Sequence, residues 1–104
     1  MESVAILGAT GSIGKSSLDV ISRYPDRFTV YAVTANSSVK KLAQAAKDSG
    51  AKVAVIADKE LLGALQDELK AAGSRAQALA GAKAIDEIAS SPEVDIVIGA
   101  IVGA

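Results

Sequence analysis

The sequence contains no cysteine, no histidine and no tryptophan, and its aromatic residues are two tyrosines and one phenylalanine. Without these side chains the usual zinc sites, thiolate nucleophiles, haem ligation and Ser-His-Asp triads are excluded. A chain that cannot form disulfides suits the cytosol, so we expect a cytoplasmic location. The first apolar run begins at Val4, and we therefore expect no signal peptide.

A strong charge of one sign and long apolar runs are also missing. Eleven basic and twelve acidic residues give a net charge of −1, which provides no field to attract nucleic acid or anionic lipid. No apolar run approaches the roughly 20 residues that a membrane-spanning helix needs. We therefore expect a small-molecule ligand, with neither nucleic acid nor membrane as a partner.

Small aliphatic residues are abundant, since half of the chain is hydrophobic and most of that half is Ala, Val, Ile and Leu. Such a core is typical of a parallel sheet covered by helices. Apolar runs alternate with helical patterns, which predicts right-handed crossovers and a Rossmann-like, doubly wound, three-layer α/β/α fold in one domain, residues 1–104. The predicted strands are 4–7, 28–34, 53–56, 76–79 and 94–98, and the predicted helices begin near Ser12, Ser38, Asp58 and Gly81.

A glycine-rich turn joins the first predicted strand, Val4–Leu7, to the first predicted helix. Gly8 permits a tight turn, Gly11 permits close approach of a phosphate, and Gly14 permits the helix to pack on the sheet. Such a turn presents backbone N–H groups and a helix N-terminus to a pyrophosphate. The spacing is G-x-x-G-x-x-G rather than G-x-G-x-x-G, so a strand–turn–helix that uses glycine only for its geometry remains an alternative.

The end of the second predicted strand indicates which dinucleotide binds. An acid about 20 residues past the glycines would bind the ribose 2′-OH and favour NAD, but that position is Thr34 and the following residues are uncharged. Asn36, Ser37 and Ser38 can donate hydrogen bonds to a 2′-phosphate, Ser38 from a helix N-terminus. The missing acid favours NADP, although the same three residues also fit a simple turn and cap.

Two lysines and two acids lie near this strand end along the chain. Lys40 and Lys41 follow one helical turn beyond it, and the nearest acids along the chain, Asp26 and Asp48, lie outside it. We therefore expect no carboxylate at the strand end to repel a 2′-phosphate.

With these residues in view, the sequence resembles the 1-deoxy-D-xylulose 5-phosphate reductoisomerase family of the methylerythritol phosphate route to isoprenoids. Leu7–Gly14 resembles that family's opening motif, and Leu18–Ile21 and Pro25–Phe28 are similar to its next landmarks. Val94–Val97 followed by Ala100–Ala104 resembles its more distinctive fourth-strand signature. The resemblance covers the whole chain but only the first part of the family's enzyme, its NADPH-binding domain.

The resemblance implies a role for three groups of residues. The turn residues would hold the pyrophosphate and nearby ribose, the strand-end residues would occupy the 2′-phosphate site, and an apolar segment would line the path to the nicotinamide. In that order the groups are Thr10, Gly11, Ser12 and Ile13; then Asn36, Ser37 and Ser38; and last Ala100, Ile101 and Val102. Many members carry Gly-Lys/Arg-Asn at the second group, so the chain departs from that form.

The resemblance also implies an oxidoreductase that rearranges a sugar phosphate and then transfers a hydride from NADPH, in a homo-oligomeric parent enzyme. The divalent metal, Mg or Mn, and the substrate would be held by residues beyond the position that matches Ala104. We therefore assign no catalytic and no metal-binding residue to this chain and expect it to be inactive alone. Its helical acids are assigned to solvated faces; they are Asp67, Glu68, Asp86 and Glu87.

Two other kinds of protein remain open on the sequence. One is another NADP oxidoreductase with the same turn, similar to aspartate-semialdehyde dehydrogenase or dihydrodipicolinate reductase, although these lack the Ala100–Ala104 ending in this form. The other is a non-enzymatic Rossmann module that binds a nucleotide.

The apolar segment Gly99–Ala104 has no helix after it, and we interpret the chain as a fragment of a longer enzyme. We expect exposed apolar surface at this end and self-association of the chain. Analytical ultracentrifugation at high concentration tests this expectation, and a chain that stays monomeric contradicts it.

Overall fold

The computed structural model describes residues 1–99, with the backbone alone at Ile13. Five strands and four α-helices alternate along this range. The strands are β1 (Glu2–Leu7), β2 (Phe28–Ala35), β3 (Val53–Ile56), β4 (Gln77–Ala80) and β5 (Ile96–Gly99). The helices are α1 (Ser12–Ser22), α2 (Val39–Ser49), α3 (Leu62–Ala72) and α4 (Ala82–Ala89), and a short 3-10 helix, Lys59–Leu61, precedes α3. The predicted order of elements is therefore confirmed.

All neighbouring strands are parallel and follow the order β4-β3-β2-β1-β5. Ile6 of the central strand β1 pairs with Val33 on one side and with Ile98 on the other. The chain steps outward from β1 to β4 and then returns to the opposite side of β1. This order confirms the Rossmann-like fold, and it places the topological switch point between the carboxyl ends of β1 and β5.

Helices cover both faces of the sheet, which gives three layers. Right-handed crossovers place α1, α2 and α3 on one face, and the return from β4 to β5 places α4 on the other. The larger core lies under the three helices and includes Ile6, Val33, Leu42, Ile56 and Leu65. The smaller core lies under α4 and includes Ala5, Ala32, Val53, Val55 and Ile88.

Three strands begin at other residues than predicted. β4 begins at Gln77 instead of Ala76, and hydrogen bonding explains the starts of β1 and β5. β1 begins at Glu2, because its N–H donates to the carbonyl of Arg27 at 2.9 Å and it pairs with Phe28. β5 begins at Ile96 because the preceding residues form a turn. In that turn Asp95 exchanges hydrogen bonds with Ser3, whose N–H donates to the Asp95 carboxylate at 2.8 Å.

The middle of β2 contains a bulge that the hydrophobic pattern does not show. Val4 pairs with Val30 and Ala5 pairs with Ala32, so Tyr31 is an extra residue between two pairs. A bulge bends the strand that carries it and increases its local twist.

The sheet is incompletely covered near β5. Val97 is 43% exposed, and a largely apolar groove of about 500 Å³ runs between α1 and β5, lined by Val4, Ile21, Phe28 and Ile98 among others. The exposed apolar surface expected at Gly99–Ala104 stays a prediction, because Ala100–Ala104 lie outside the described residues. Within residues 1–99 no helix is long and apolar enough to cross a membrane.

Candidate dinucleotide site

The turn after β1 reverses direction within four residues. Gly8 has a φ of +73°, which residues with a Cβ rarely adopt. The N–H of Gly11 donates to the carbonyl of Gly8 at 3.1 Å and closes the turn. Gly11 is then the N-cap residue of α1, and its carbonyl accepts the N–H of Lys15 at 2.9 Å.

Gly14 is the residue that allows α1 to begin against this turn. A Cβ at this position would lie 2.3 Å from the carbonyl oxygen of Gly8 and 2.6 Å from the Cα of Ala9. Both neighbours are backbone atoms, so no side chain can move aside. At Gly11, by contrast, a Cβ would meet the Gly8 oxygen at 3.5 Å, which is ordinary contact. Packing within the chain therefore requires glycine at position 14 but not at position 11.

The N-terminus of α1 has the features of an anion-binding site. Gly11 offers no side chain to cap the helix, and the first turn holds no acidic residue. The first N–H groups of an α-helix have no partners within the helix, and its dipole favours negative charge there. Gly11 and Ser12 are exposed, Thr10 is half-buried, and the turn follows β1 at the switch point. The predicted turn residues thus lie together at the edge where dinucleotides bind in this fold.

Thr34 fixes the turn to β2, a role that sequence reasoning missed. Its side chain is buried, its Oγ1 accepts the N–H of Gly8 at 3.1 Å, and its carbonyl accepts the N–H of Ala9 at 2.8 Å. The available signal was a hydroxyl residue at the apolar end of β2, where Thr34 lies between Val33 and Ala35.

Asn36, Ser37 and Ser38 form the exposed connection from β2 to α2. Ser38 occupies the predicted N-cap position, and its carbonyl accepts the N–H of Leu42 at 2.9 Å. Its hydroxyl makes no capping hydrogen bond, and the first turn of α2 holds no acid. The hydroxyl of Ser38 is therefore free to contact a ligand at this helix N-terminus.

Asp26 and Asp48 are the acids nearest to this connection along the chain, but a third acid lies beside it in space. Parallel pairing of β2 with β3 brings Asp58 beside it, and the N–H of Asp58 donates to the carbonyl of Asn36 at 3.2 Å. The Asp58 carboxylate accepts the N–H of Glu60 at 3.0 Å and so caps the 3-10 helix ahead of α3.

The other acids of interest lie on α1, α3 and α4. Asp19 forms an exposed ion pair with Arg23, with 2.9 Å between the carboxylate and the guanidinium. The four helical acids assigned to solvated faces are exposed, except Glu68, which is half-buried. Within residues 1–99, no three His, Cys, Asp or Glu side chains come together in a way that could hold a metal ion.

The glycine turn at the switch point and the uncapped helix behind it define a dinucleotide-binding Rossmann domain. The model of the family described as 1-deoxy-D-xylulose 5-phosphate reductoisomerase matches residues 4–104. The chain belongs to this family, which removes the other NADP oxidoreductases from consideration.

Individual relatives agree with the family. The reductoisomerase of Cellvibrio japonicus is 48% identical over 103 residues, which is 99% of this chain and 26% of that protein. The Zymomonas mobilis enzyme, solved in complex with NADPH, is 55% identical, with a TM-score of 0.78 over 85% of this chain and 23% of that one. A DOX-P reductoisomerase with NADPH, fosmidomycin and magnesium is 37% identical, with a TM-score of 0.88 over 97% of this chain and 24% of that one. The chain thus spans about a quarter of these relatives.

Replacing Gly14 with alanine tests the contact between α1 and the turn. We expect Gly14→Ala to lower the free energy of unfolding by about 1–3 kcal/mol, since the added methyl group meets backbone. Gly63→Ala is the matched control, because it lies in α3 with nothing within 4 Å of the added Cβ. The control should raise stability by about 0.5–1 kcal/mol. Urea unfolding measures both, and equal effects would contradict this account of Gly14.

Replacing Thr34 tests how the turn is held. Thr34→Val keeps the shape of the side chain but removes the acceptor of the Gly8 N–H, so we expect a loss of about 1–3 kcal/mol in the free energy of unfolding. Thr34→Ser keeps the hydroxyl and should cost less than about 1 kcal/mol. Thermal and urea unfolding of the two variants give the comparison, and a serine variant as unstable as the valine variant would refute the hydrogen-bond explanation.

Proposed function

We propose that this chain is the NADPH-binding part of a 1-deoxy-D-xylulose 5-phosphate reductoisomerase. The whole enzyme would rearrange deoxyxylulose phosphate and reduce it to methylerythritol phosphate in isoprenoid biosynthesis. The observation that carries the proposal is an uncapped helix N-terminus at the switch point of a chain in this family. A relative solved with NADPH supports it.

In this proposal the cofactor's pyrophosphate lies at the N-terminus of α1. The N–H groups of Ser12 and Ile13 would donate to its oxygens, and the hydroxyls of Thr10 and Ser12 would supply further hydrogen bonds. Gly8 and Gly14 would act through the backbone, by shaping the turn and by bringing α1 against it. The absence of a side chain at Gly11 leaves room for the phosphates.

The 2′-phosphate would lie beside the exposed connection from β2 to α2. Asn36 and Ser37 would donate side-chain hydrogen bonds, and Ser38 would donate its unused hydroxyl at the start of α2. No acid occupies the end of β2, and the carboxylate of Asp58 is already engaged as a cap. The segment proposed to line the path to the nicotinamide, Ala100, Ile101 and Val102, lies outside the described residues.

When bound, NADPH supplies the hydride for the reduction, and the residues of this chain hold and orient the cofactor. The described residues contain no cluster of acids that fits a metal ion, so no step is assigned to a metal here. We propose that the divalent metal and the substrate bind to the part of the enzyme that corresponds to the rest of its relatives. A homo-oligomeric parent enzyme and a cytoplasmic location belong to the same proposal.

Calorimetric titration with NADPH and, in parallel, with NADH tests the proposal. We expect NADPH to bind at least about tenfold more tightly, since a 2′-phosphate adds charge-assisted hydrogen bonds. Equal affinities would refute the NADP assignment. Binding of neither cofactor would contradict the proposal that these residues hold it, and Gly63→Ala serves as a folded control that leaves the site intact.

A further inference from the structure

A groove between α1 and α2 starts at the glycine turn and runs along the two helices. It has a volume of about 460 Å³, and Ala9 and Thr10 form part of its wall. One helical stripe of α1 faces it with Lys15, Asp19 and Ser22, and one stripe of α2 faces it with Lys41, Gln44 and Asp48. Charged and polar side chains from both helices therefore line the groove together with the apolar side chains of Leu18 and Ala45.

The two lysines lie at the same end of this groove. Lys15 is in the first turn of α1, and Lys41 is in the first turn of α2. Because β1 and β2 are parallel neighbours, the helices that follow them begin at the same edge of the sheet. That edge also carries the glycine turn and the connection 36–38, so both cations lie beside the proposed cofactor site.

Two carboxylates line the groove, and neither lies at that end; Asp58, beside Asn36, does not line the groove. Asp19 lies one turn further along α1 and is paired with Arg23. Asp48 lies in the last turn of α2 and accepts a hydrogen bond from the Gln44 amide at 2.9 Å. Across residues 1–99 the Arg23–Asp19 pair is the one ion pair shorter than 4.0 Å, so Lys15 and Lys41 have no protein anion there. An anion bound at this end would be attracted by both lysines.

We propose that Lys15 and Lys41 form a cation pair that contacts the 2′-phosphate of NADPH from the groove and sets the preference for NADPH over NADH. The inference rests on the proposed function and deepens it. A phosphate monoester carries about two negative charges at neutral pH, whereas the donors of Asn36, Ser37 and Ser38 are neutral. With the pyrophosphate anchored on α1, the adenosine ribose would extend toward the end of β2, at the sheet edge where this end of the groove lies.

Substitutions that remove the positive charge of a single lysine test the inference. Lys15→Gln and Lys41→Gln are each expected to raise the Kd for NADPH about tenfold and to leave the Kd for NADH within about twofold, because only NADPH carries the phosphate. Lys40→Gln is the matched control, since it makes the same charge change in the same turn of α2 but does not line the groove. It should change neither affinity by more than about twofold.

Arginine at either position keeps the positive charge, so Lys15→Arg and Lys41→Arg should retain most of the wild-type affinity for NADPH. We expect the unfolding midpoint of each variant to equal that of the wild type, because both lysines are exposed. A shifted midpoint would indicate a merely structural role. Three results would overturn the inference: equal losses for both cofactors, an equal loss in Lys40→Gln, or full NADPH preference in both glutamine variants. A wild-type chain without preference for NADPH would instead overturn the proposed function.

Discussion

The structure depends on a contact that exists because a side chain is missing. At Gly14 the first turn of α1 touches the backbone of Gly8 and Ala9, at distances that a Cβ would forbid. This contact places the start of the helix directly over the end of the central strand. The strand order then places that end at the switch point, where the sheet leaves a crevice. The anion-receptive helix end and the crevice coincide for this reason.

The two parts of the proposed site differ in whether they can distinguish NADP from NAD. The turn at the end of β1 acts through backbone groups, and the pyrophosphate it would hold is common to NAD and NADP. Discrimination must therefore come from groups beside the ribose. In this chain the connection after β2 supplies neutral donors, while Lys15 and Lys41 supply charge from the helices on either side of one groove. Affinity for a dinucleotide and preference for its phosphorylated form thus arise from separate residues.

Sequence periodicity predicted the elements well, because the apolar runs and the helix-ending Gly50 act over a few neighbouring residues. The missed features depend on pairing between distant segments. Asp58 reaches Asn36 only through the register of β2 with β3, and Thr34 reaches Gly8 only through the register of β1 with β2. The bulge at Tyr31 also belongs to a strand pair rather than to one strand. The glycine turn was recognisable because its geometry depends on the spacing of three glycines within one short segment.

The two hydrogen bonds that Thr34 accepts from Gly8 and Ala9 have a consequence for the thermodynamics of binding. They join the turn to the second strand of a buried sheet, so Gly8 and Ala9 are held in place while the ligand is absent. A loop that is ordered beforehand loses little conformational entropy when a ligand arrives, and more of the interaction energy appears as affinity. The central strands of the sheet therefore serve the dinucleotide indirectly, by preorganising a loop that would otherwise have to be ordered at each binding event.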